Sequence, residues 1–266
     1  MLRGLSLRIG KGELVCLLGP NGAGKSTTFK ALSGLLPLDG GSVRMMGQDV
    51  AALGAEKLTA LGVGFVPEGR RLFPSLSVRE NLRLGYDASR CAIPFEQRLE
   101  LIYDLFPRVK ERMGQQANTM SGGEQAMVAL ARALIGDPEL LIMDEPSLGL
   151  SPKLIDEYFE TVARIHAEGK TVLLIEQNAE TALSISDRGY LIVRGQIAVE
   201  GPAPRCWPTT RSGICICKPD CGGGFPPPHV SVPPQAALTR QMTLPTSSAI
   251  RIEALSGPIA TPTGRP

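Results

Sequence analysis

The 266-residue chain carries 28 basic and 26 acidic side chains, a formal net charge of +2 at pH 7. That balance is too small to support binding to nucleic acid or to an anionic membrane surface. No apolar run approaches the roughly 18 residues that a membrane-spanning helix needs, and Met1-Leu2-Arg3 opens no secretion signal. The expectation is a cytoplasmic protein that serves a membrane, if at all, through a partner.

In chain order, Leu5 to Ile9 alternates as a strand, and Lys11-Gly12 turns it back into an apolar strand, Leu14 to Leu18. A glycine-rich run, GPNGAGKST from Gly19 to Thr27, leads into a helix over Ser26 to Leu36. Leu38 to Gly41 is a turn, Ser42 to Met46 a short strand, Leu53 to Leu61 a short helix and Val63 to Val66 a buried strand. Glu68 to Leu76 is irregular and carries two arginines. Ser77-Val78-Arg79-Glu80 is a capping box that starts a helix. Phe95, Leu99, Ile102, Tyr103 and Phe106 keep the spacing of an amphipathic helix and read as packing residues. A second capping box, Ser121-Gly122-Gly123-Glu124, opens a helix through Ile135 that ends at Asp137-Pro138. Glu139 to Met143 is an apolar strand running into Asp144-Glu145. A helix follows from Ser151-Pro152 to Gly169, then a strand over Thr171 to Ile175 and a helix over Asn178 to Ile185. Arg188 to Val199 forms a hairpin around Gly195. Strands alternating with helices predict an α/β fold with a parallel sheet, interrupted by a helical insert over about 77–135.

Composition changes sharply near Pro202. From Pro204 onward lie 12 of the 22 prolines, four of the six cysteines, six basic residues and two acidic ones. Residues 204–266 therefore read as a disordered, Pro/Gly/Cys-rich tail. Cys206, Cys215, Cys217, Cys221 and His229 do not have a standard zinc spacing. Cys16 and Cys91 are expected to be buried thiols of a reducing compartment.

The glycine-rich run matches G-x-x-x-x-G-K-[ST] between a strand and a helix, the context of a phosphate-binding loop. Gly19, Gly22 and Gly24 let successive N–H groups face an anion at a helix N-terminus. In this motif Lys25 reaches the β- and γ-phosphates and the Ser26 hydroxyl ligates Mg²⁺. Asp144-Glu145 lies at the carboxyl end of a strand, where ligands collect in open α/β sheets. Asp144 suits the same Mg²⁺, and Glu145 suits orienting or deprotonating a water. Ser121-Gly122-Gly123 is a second helix start fit for phosphate. Two such ends suit a dimer in which each ATP is clamped between one subunit's loop and the other subunit's second site.

The ordered trio GPNGAGKST, MSGGEQ and LLIMDEPSLGL resembles the nucleotide-binding subunit of an ATP-binding cassette (ABC) transporter, from about Leu2 to Pro202. VPEGRRLFPSLSVRENL, DEPSLGLSP and IEQNAETAL resemble the LivF type of branched-chain amino-acid importers. The resemblance implies a P-loop NTPase core with an antiparallel β subdomain and an inserted helical subdomain. It also implies ATP hydrolysis coupled to uptake by a head-to-tail pair of cassettes with two membrane permeases, on the inner face of the cell membrane. A periplasmic binding protein would deliver substrate, and no nucleic acid is involved. Carried onto matching positions, Gly19, Pro20, Asn21, Gly22, Ala23, Gly24, Lys25, Ser26 and Thr27 bind phosphates, and Ser26 and Asp144 serve Mg²⁺. Ser121, Gly122 and Gly123, with Glu124 at the same helix start, meet the γ-phosphate bound to the opposite subunit, and Glu145 is the general base. Glu68 stands where most of the superfamily has a glutamine, and Gln177 where most have a histidine contacting the γ-phosphate. Both replacements are usual for the LivF type.

Two departures from the family stand out. Some fifteen residues that normally precede the position of Leu2, with a first strand and an adenine-stacking aromatic, have no counterpart there, and no aromatic precedes Phe29. The antiparallel subdomain is therefore expected to lack an edge strand, and ATP affinity to be reduced. The tail is expected to be an out-of-frame reading behind a late start, to be tested by mass spectrometry for tail peptides. Other readings are an inactive nucleotide-binding remnant, the ATPase of another ABC system such as urea uptake or lipopolysaccharide export, and a soluble P-loop kinase or GTPase. The second glycine site and the Asp144-Glu145 pair disfavour the last.

Overall fold

In the computed structural model, residues 2–203 are described, together with three tail segments: Trp207–Pro208, Cys215–Ile216 and Ser248–Ser256. The chain begins with β1 (Arg3–Gly10) and β2 (Leu14–Leu18), then α1 (Lys25–Leu32), β3 (Ser42–Met45), β4 (Gln48–Asp49), α2 (Ala55–Ala60) and β5 (Val63–Val66). Four helices follow: α3 (Val78–Asp87), α4 (Phe95–Leu105), α5 (Pro107–Glu111) and α6 (Gly122–Leu134). The remainder is β6 (Leu140–Asp144), α7 (Pro152–Ala167), β7 (Thr171–Glu176), α8 (Ala179–Ile185), β8 (Arg188–Val193) and β9 (Gln196–Pro202). The tail adds β10 (Trp207–Pro208), β11 (Cys215–Ile216) and β12 (Ser248–Ser256).

The expected α/β sheet is present, ordered β5-β6-β7-β2-β8-β9. Its first five strands are parallel and β9 pairs antiparallel to β8. β2 is buried along its whole length, as a strand covered on both faces must be. Alternate residues feed two cores. Leu14, Cys16 and Leu18 join the helices α3–α8, while Val15 and Leu17 pack with α1, α2 and the antiparallel strands. Burial pushes the Cys16 thiol up to about 12, so it acts as a small apolar side chain.

Both predicted capping boxes form. Ser77 caps α3 with Glu80, and Ser121 caps α6 with Glu124, each side chain bonding the other's backbone N–H. The amphipathic stretch from Phe95 forms a single helix, α4, that ends at Leu105, and the short α5 follows it. Phe106 leaves helical geometry at φ −130, ψ 70 because Pro107, first residue of α5, disfavours the α conformation before it.

The second sheet departs further from expectation. It is antiparallel, ordered β1-β12-β3-β4. The tail is expected to be disordered, yet Ser248–Ser256 forms a strand between β1 and β3, an internal position that leaves β1 at the edge. That nine-residue stretch, SAIRIEALS, has no Pro or Gly, and its Ile-Arg-Ile-Glu alternates with period two. The composition of the whole tail hides this local pattern. The cysteines and His229 weighed as a metal knuckle have side chains outside the described residues.

Candidate functional site

The site is built at the carboxyl ends of β2 and β6, which flank β7 on either side. Beyond Leu18 the backbone curls at Gly22 (φ 78) and Gly24 (φ 114), conformations open to glycine at little cost. Gly19 is fixed by close approach, since a Cβ there would lie 2.6 Å from the Ile192 carbonyl oxygen. The curl delivers the chain to the N-terminus of α1, whose first residue is Lys25. Lys25 is buried, and its Nζ donates to the carbonyls of Gly19 (2.8 Å) and Pro20 (3.2 Å). It also pairs with Glu145 Oε1 at 3.1 Å.

Asp144 ends β6 and is 3% exposed, with Oδ1 lacking any hydrogen-bond partner. Burial, then the neighbouring charges of Glu145 and Glu68, push its carboxyl up to about 7, against the opposing pull of Lys25 and Lys30. A buried, unpartnered carboxylate oxygen among acidic neighbours is the chemistry that a hard cation satisfies. Among the described residues no group of three or more His, Cys, Asp or Glu could hold a metal unaided. A cation at Asp144 therefore needs oxygens from beyond such a cluster. Glu145 sits in the left-handed region at φ 45, unusual for a residue with a side chain, and its N–H donates to the Ile175 carbonyl. Such strain costs about 1–3 kcal/mol and concentrates at functional sites.

Of the predicted residues, the structure joins the Gly19–Thr27 loop to Glu145 by contact through Lys25, with Asp144 in electrostatic range of Lys25, Glu145 and Glu68. Gln177 follows β7 directly, exposed, with its N–H donating to Glu176. Ser121–Glu124 stand apart: among the described residues no hydrogen bond or ion pair joins them to the Gly19–Thr27 loop. Their glycines have local causes. A Cβ on Gly123 would meet Leu154 at 2.5 Å, and one on Gly122 would meet the Arg70 guanidinium at 3.0 Å. Phe29 is buried against Phe65, edge to face at 6.1 Å between centroids, and belongs to the core.

Three contributors escaped sequence reading. Glu176, 2% exposed, accepts from the N–H groups of Ser147 and Gln177, both at 3.0 Å, tying the chain beyond Glu145 to the end of β7. An acidic residue ending an apolar strand, as Asp144 does, was the available signal. Glu176→Ala strands a buried N–H, which costs about 1–3 kcal/mol. The expected result is a melting temperature lower by roughly 2–10 °C. Glu176→Gln keeps an acceptor for Ser147 and should lose less; equal losses would show that the charge matters rather than the hydrogen bond. The second is Asn81, fully buried on α3, which accepts from Phe73 N–H and donates to the carbonyls of Phe73, Leu76 and Ser77. The third is Arg132 on α6, which donates to the carbonyls of Arg70 and Arg71, two residues at positive φ. Gly85 of α3 lies so close to Arg132 that a Cβ would stand 2.2 Å from its carbonyl oxygen. The Glu68–Leu76 segment is thus fastened to α3 and α6 at several points.

Comparison with known families matches residues 2–148 to the ABC transporter family. The chain belongs to that family. The cassette is 43% identical over 198 residues to the high-affinity branched-chain amino acid transport ATP-binding protein BraG of Pseudomonas aeruginosa, covering 74% of this chain and 84% of that protein. It is 36% identical over 197 residues to the probable branched-chain amino acid transport ATP-binding protein LivF of Archaeoglobus fulgidus, covering 73% and 83%. Among solved structures, a dimeric post-hydrolysis state of an ATP-binding cassette bound to ADP and phosphate superposes with a TM-score of 0.68 at 27% identity, covering 76% of this chain and 90% of that one. The protein is an ABC-type ATPase subunit. Among the described residues no helix is long and apolar enough to cross a membrane.

Proposed function

We propose that this cassette hydrolyses ATP to drive import of branched-chain or related amino acids through two membrane permeases. It would work on the cytoplasmic face of the membrane, with a periplasmic binding protein delivering the substrate. The observation that carries the chemistry is the convergence of Lys25, Asp144 and Glu145 at the mouth of the Gly19–Thr27 loop. The amino-acid assignment is supported by the likeness to the BraG and LivF proteins.

In this reading the loop N–H groups and Lys25 hold the phosphates, which compete with Glu145 for the Lys25 ammonium. Glu145, released from that pair, accepts a proton from water as its oxygen attacks the γ-phosphorus, and the bond to the ADP oxygen breaks. Asp144 and Ser26 would hold Mg²⁺, which when bound neutralises charge on the transferring phosphoryl group. Gln177 and Glu68 flank the reacting end. Ser121, Gly122, Gly123 and Glu124, which make no hydrogen bond or ion pair to the loop of their own chain among the described residues, would close on the γ-phosphate of a second cassette packed head to tail.

A cleft of about 280 Å³ between β5, α3 and α6 includes Phe73, Leu84, Arg71 and Arg132 in its walls. Phe73 and Leu84 are 51% and 41% exposed, apolar surface that suits a permease segment. Co-expression with the permeases and a binding protein from the same locus, followed by reconstitution in vesicles, tests the reading. ATP-dependent uptake of labelled leucine, isoleucine or valine is expected. Hydrolysis that leaves all three outside would point to another ABC system, and no hydrolysis to an inactive remnant.

A further inference from the structure

β1 and β3 are joined through a strand from the far end of the chain. β12 sets Ile250 opposite Ile9 and Met45, Arg251 opposite Arg8 and Arg44, and Ile252 opposite Leu7 and Val43. Leu7, Ile9, Val43 and Met45 are all buried, so the apolar positions of β12 align with apolar core positions on both neighbours. A slip of one residue would set charged positions there instead, which specifies the register. The same register also carries a cost. Arg251 is paired with Arg8 and Arg44, both exposed, so three basic positions fall in one row.

β1 carries this strand's influence to the nucleotide loop. Ser256 of β12 stands opposite Arg3. Arg3 N–H donates to the Gly195 carbonyl at 2.9 Å, and Gly195 N–H donates to the Ala23 carbonyl at 2.8 Å. Leu2 packs on Gly24, with its Cδ2 3.1 Å from where a Cβ would stand. Two of the loop's residues, Ala23 and Gly24, are therefore held from the first residues of β1.

We propose that Ser248–Ser256 is a cis-acting tether of the nucleotide loop. Docked between β1 and β3, it fixes β1 and, through Arg3 and Gly195, holds Ala23 and Gly24 in the curl that receives phosphate. Undocked, it leaves two facing strand edges open and the loop loosened. The occupant of the slot is the chain's own tail strand, and the tether rests on the reading of Gly19–Thr27 as the triphosphate loop.

The full-length chain provides the test. Without nucleotide, the amides of β1 turned toward β12, and those of β3 turned away from β4, are expected to exchange slowly with deuterium. Exchange at the rate of an open edge overturns the tether, whatever the chain binds. Ile252→Pro removes a donor from a strand paired on both sides. It should speed that exchange and weaken ATP binding roughly tenfold, the loss for a loop competent a tenth of the time. A free peptide of the Ser248–Ser256 sequence should restore both properties, which separates an emptied slot from a misfolded chain; no restoration overturns the proposal. Arg251→Glu, placing an acid between Arg8 and Arg44, should shift exchange and affinity the opposite way. Faster exchange with unchanged ATP affinity in Ile252→Pro also overturns the tether, leaving the nucleotide reading intact. No ATP binding by the unsubstituted chain, with β1 protected, overturns the nucleotide reading beneath it.

Discussion

Glu145→Gln is expected to lower ATP hydrolysis by about 10²–10⁴-fold, the range for loss of a general base, while ATP still binds. The amide keeps the shape of the carboxylate and can occupy the same strained position, but it cannot take a proton at neutral pH. It also ends the ion pair that holds Lys25 Nζ at 3.1 Å from Glu145, leaving the ammonium with the Gly19 and Pro20 carbonyls. Nucleotide affinity should therefore hold or rise as turnover falls. Phosphate release measured beside equilibrium ATP binding checks both halves. Turnover within tenfold of the unsubstituted chain would assign the base to another group.

Asp144→Asn has the second large effect, and it acts oppositely on activity and stability. The Asp144 carboxyl is pushed up to about 7 in the folded chain, chiefly by burial, against about 4 when unfolded. Between those values the folded state holds a proton that the unfolded state has released. The associated stability is thus full below pH 4, declines as pH rises and is gone above pH 7. Asparagine has no such loss, so the variant should melt higher than the unsubstituted chain at pH 8, with a gap that narrows toward pH 5. Each kcal/mol corresponds to about 2–4 °C for a chain of this size. Adding Mg²⁺ at pH 8 should raise the melting temperature of the unsubstituted chain alone. Hydrolysis by the variant should fall by about 10²-fold or more, since a bound metal supplies several kcal/mol of charge stabilisation. A variant that melts lower at pH 8, or still responds to Mg²⁺, would remove Asp144 from the metal site.

The loop, the acidic pair and the second glycine helix start were legible because each is a local pattern of backbone chemistry. Strand, glycines and Lys-Ser in sequence are sufficient for an anion site, and capping boxes span four residues. The sheet was legible for the same reason, since a strand like β2, covered on both faces, has to be apolar throughout. What the sequence hid were contacts across distance. Glu176 reads as one acid among many until Ser147 is brought beside it from 29 residues away. Asn81 looks like a surface residue of α3 until the 73–77 carbonyls turn toward it. β12 was masked by averaging: nine strand-forming residues were judged by the Pro/Gly-rich company they keep.

The fastening of Glu68–Leu76 has a mechanical consequence. A chain segment normally takes up displacement in its own loose torsions, but here Arg132 grips it near one end and Asn81 at the other. α3 and α6 meet at Gly85 with no room to slide. The segment is consequently expected to have little play, so that a push on it at Phe73 is passed along toward Glu68, whose charge already bears on Asp144.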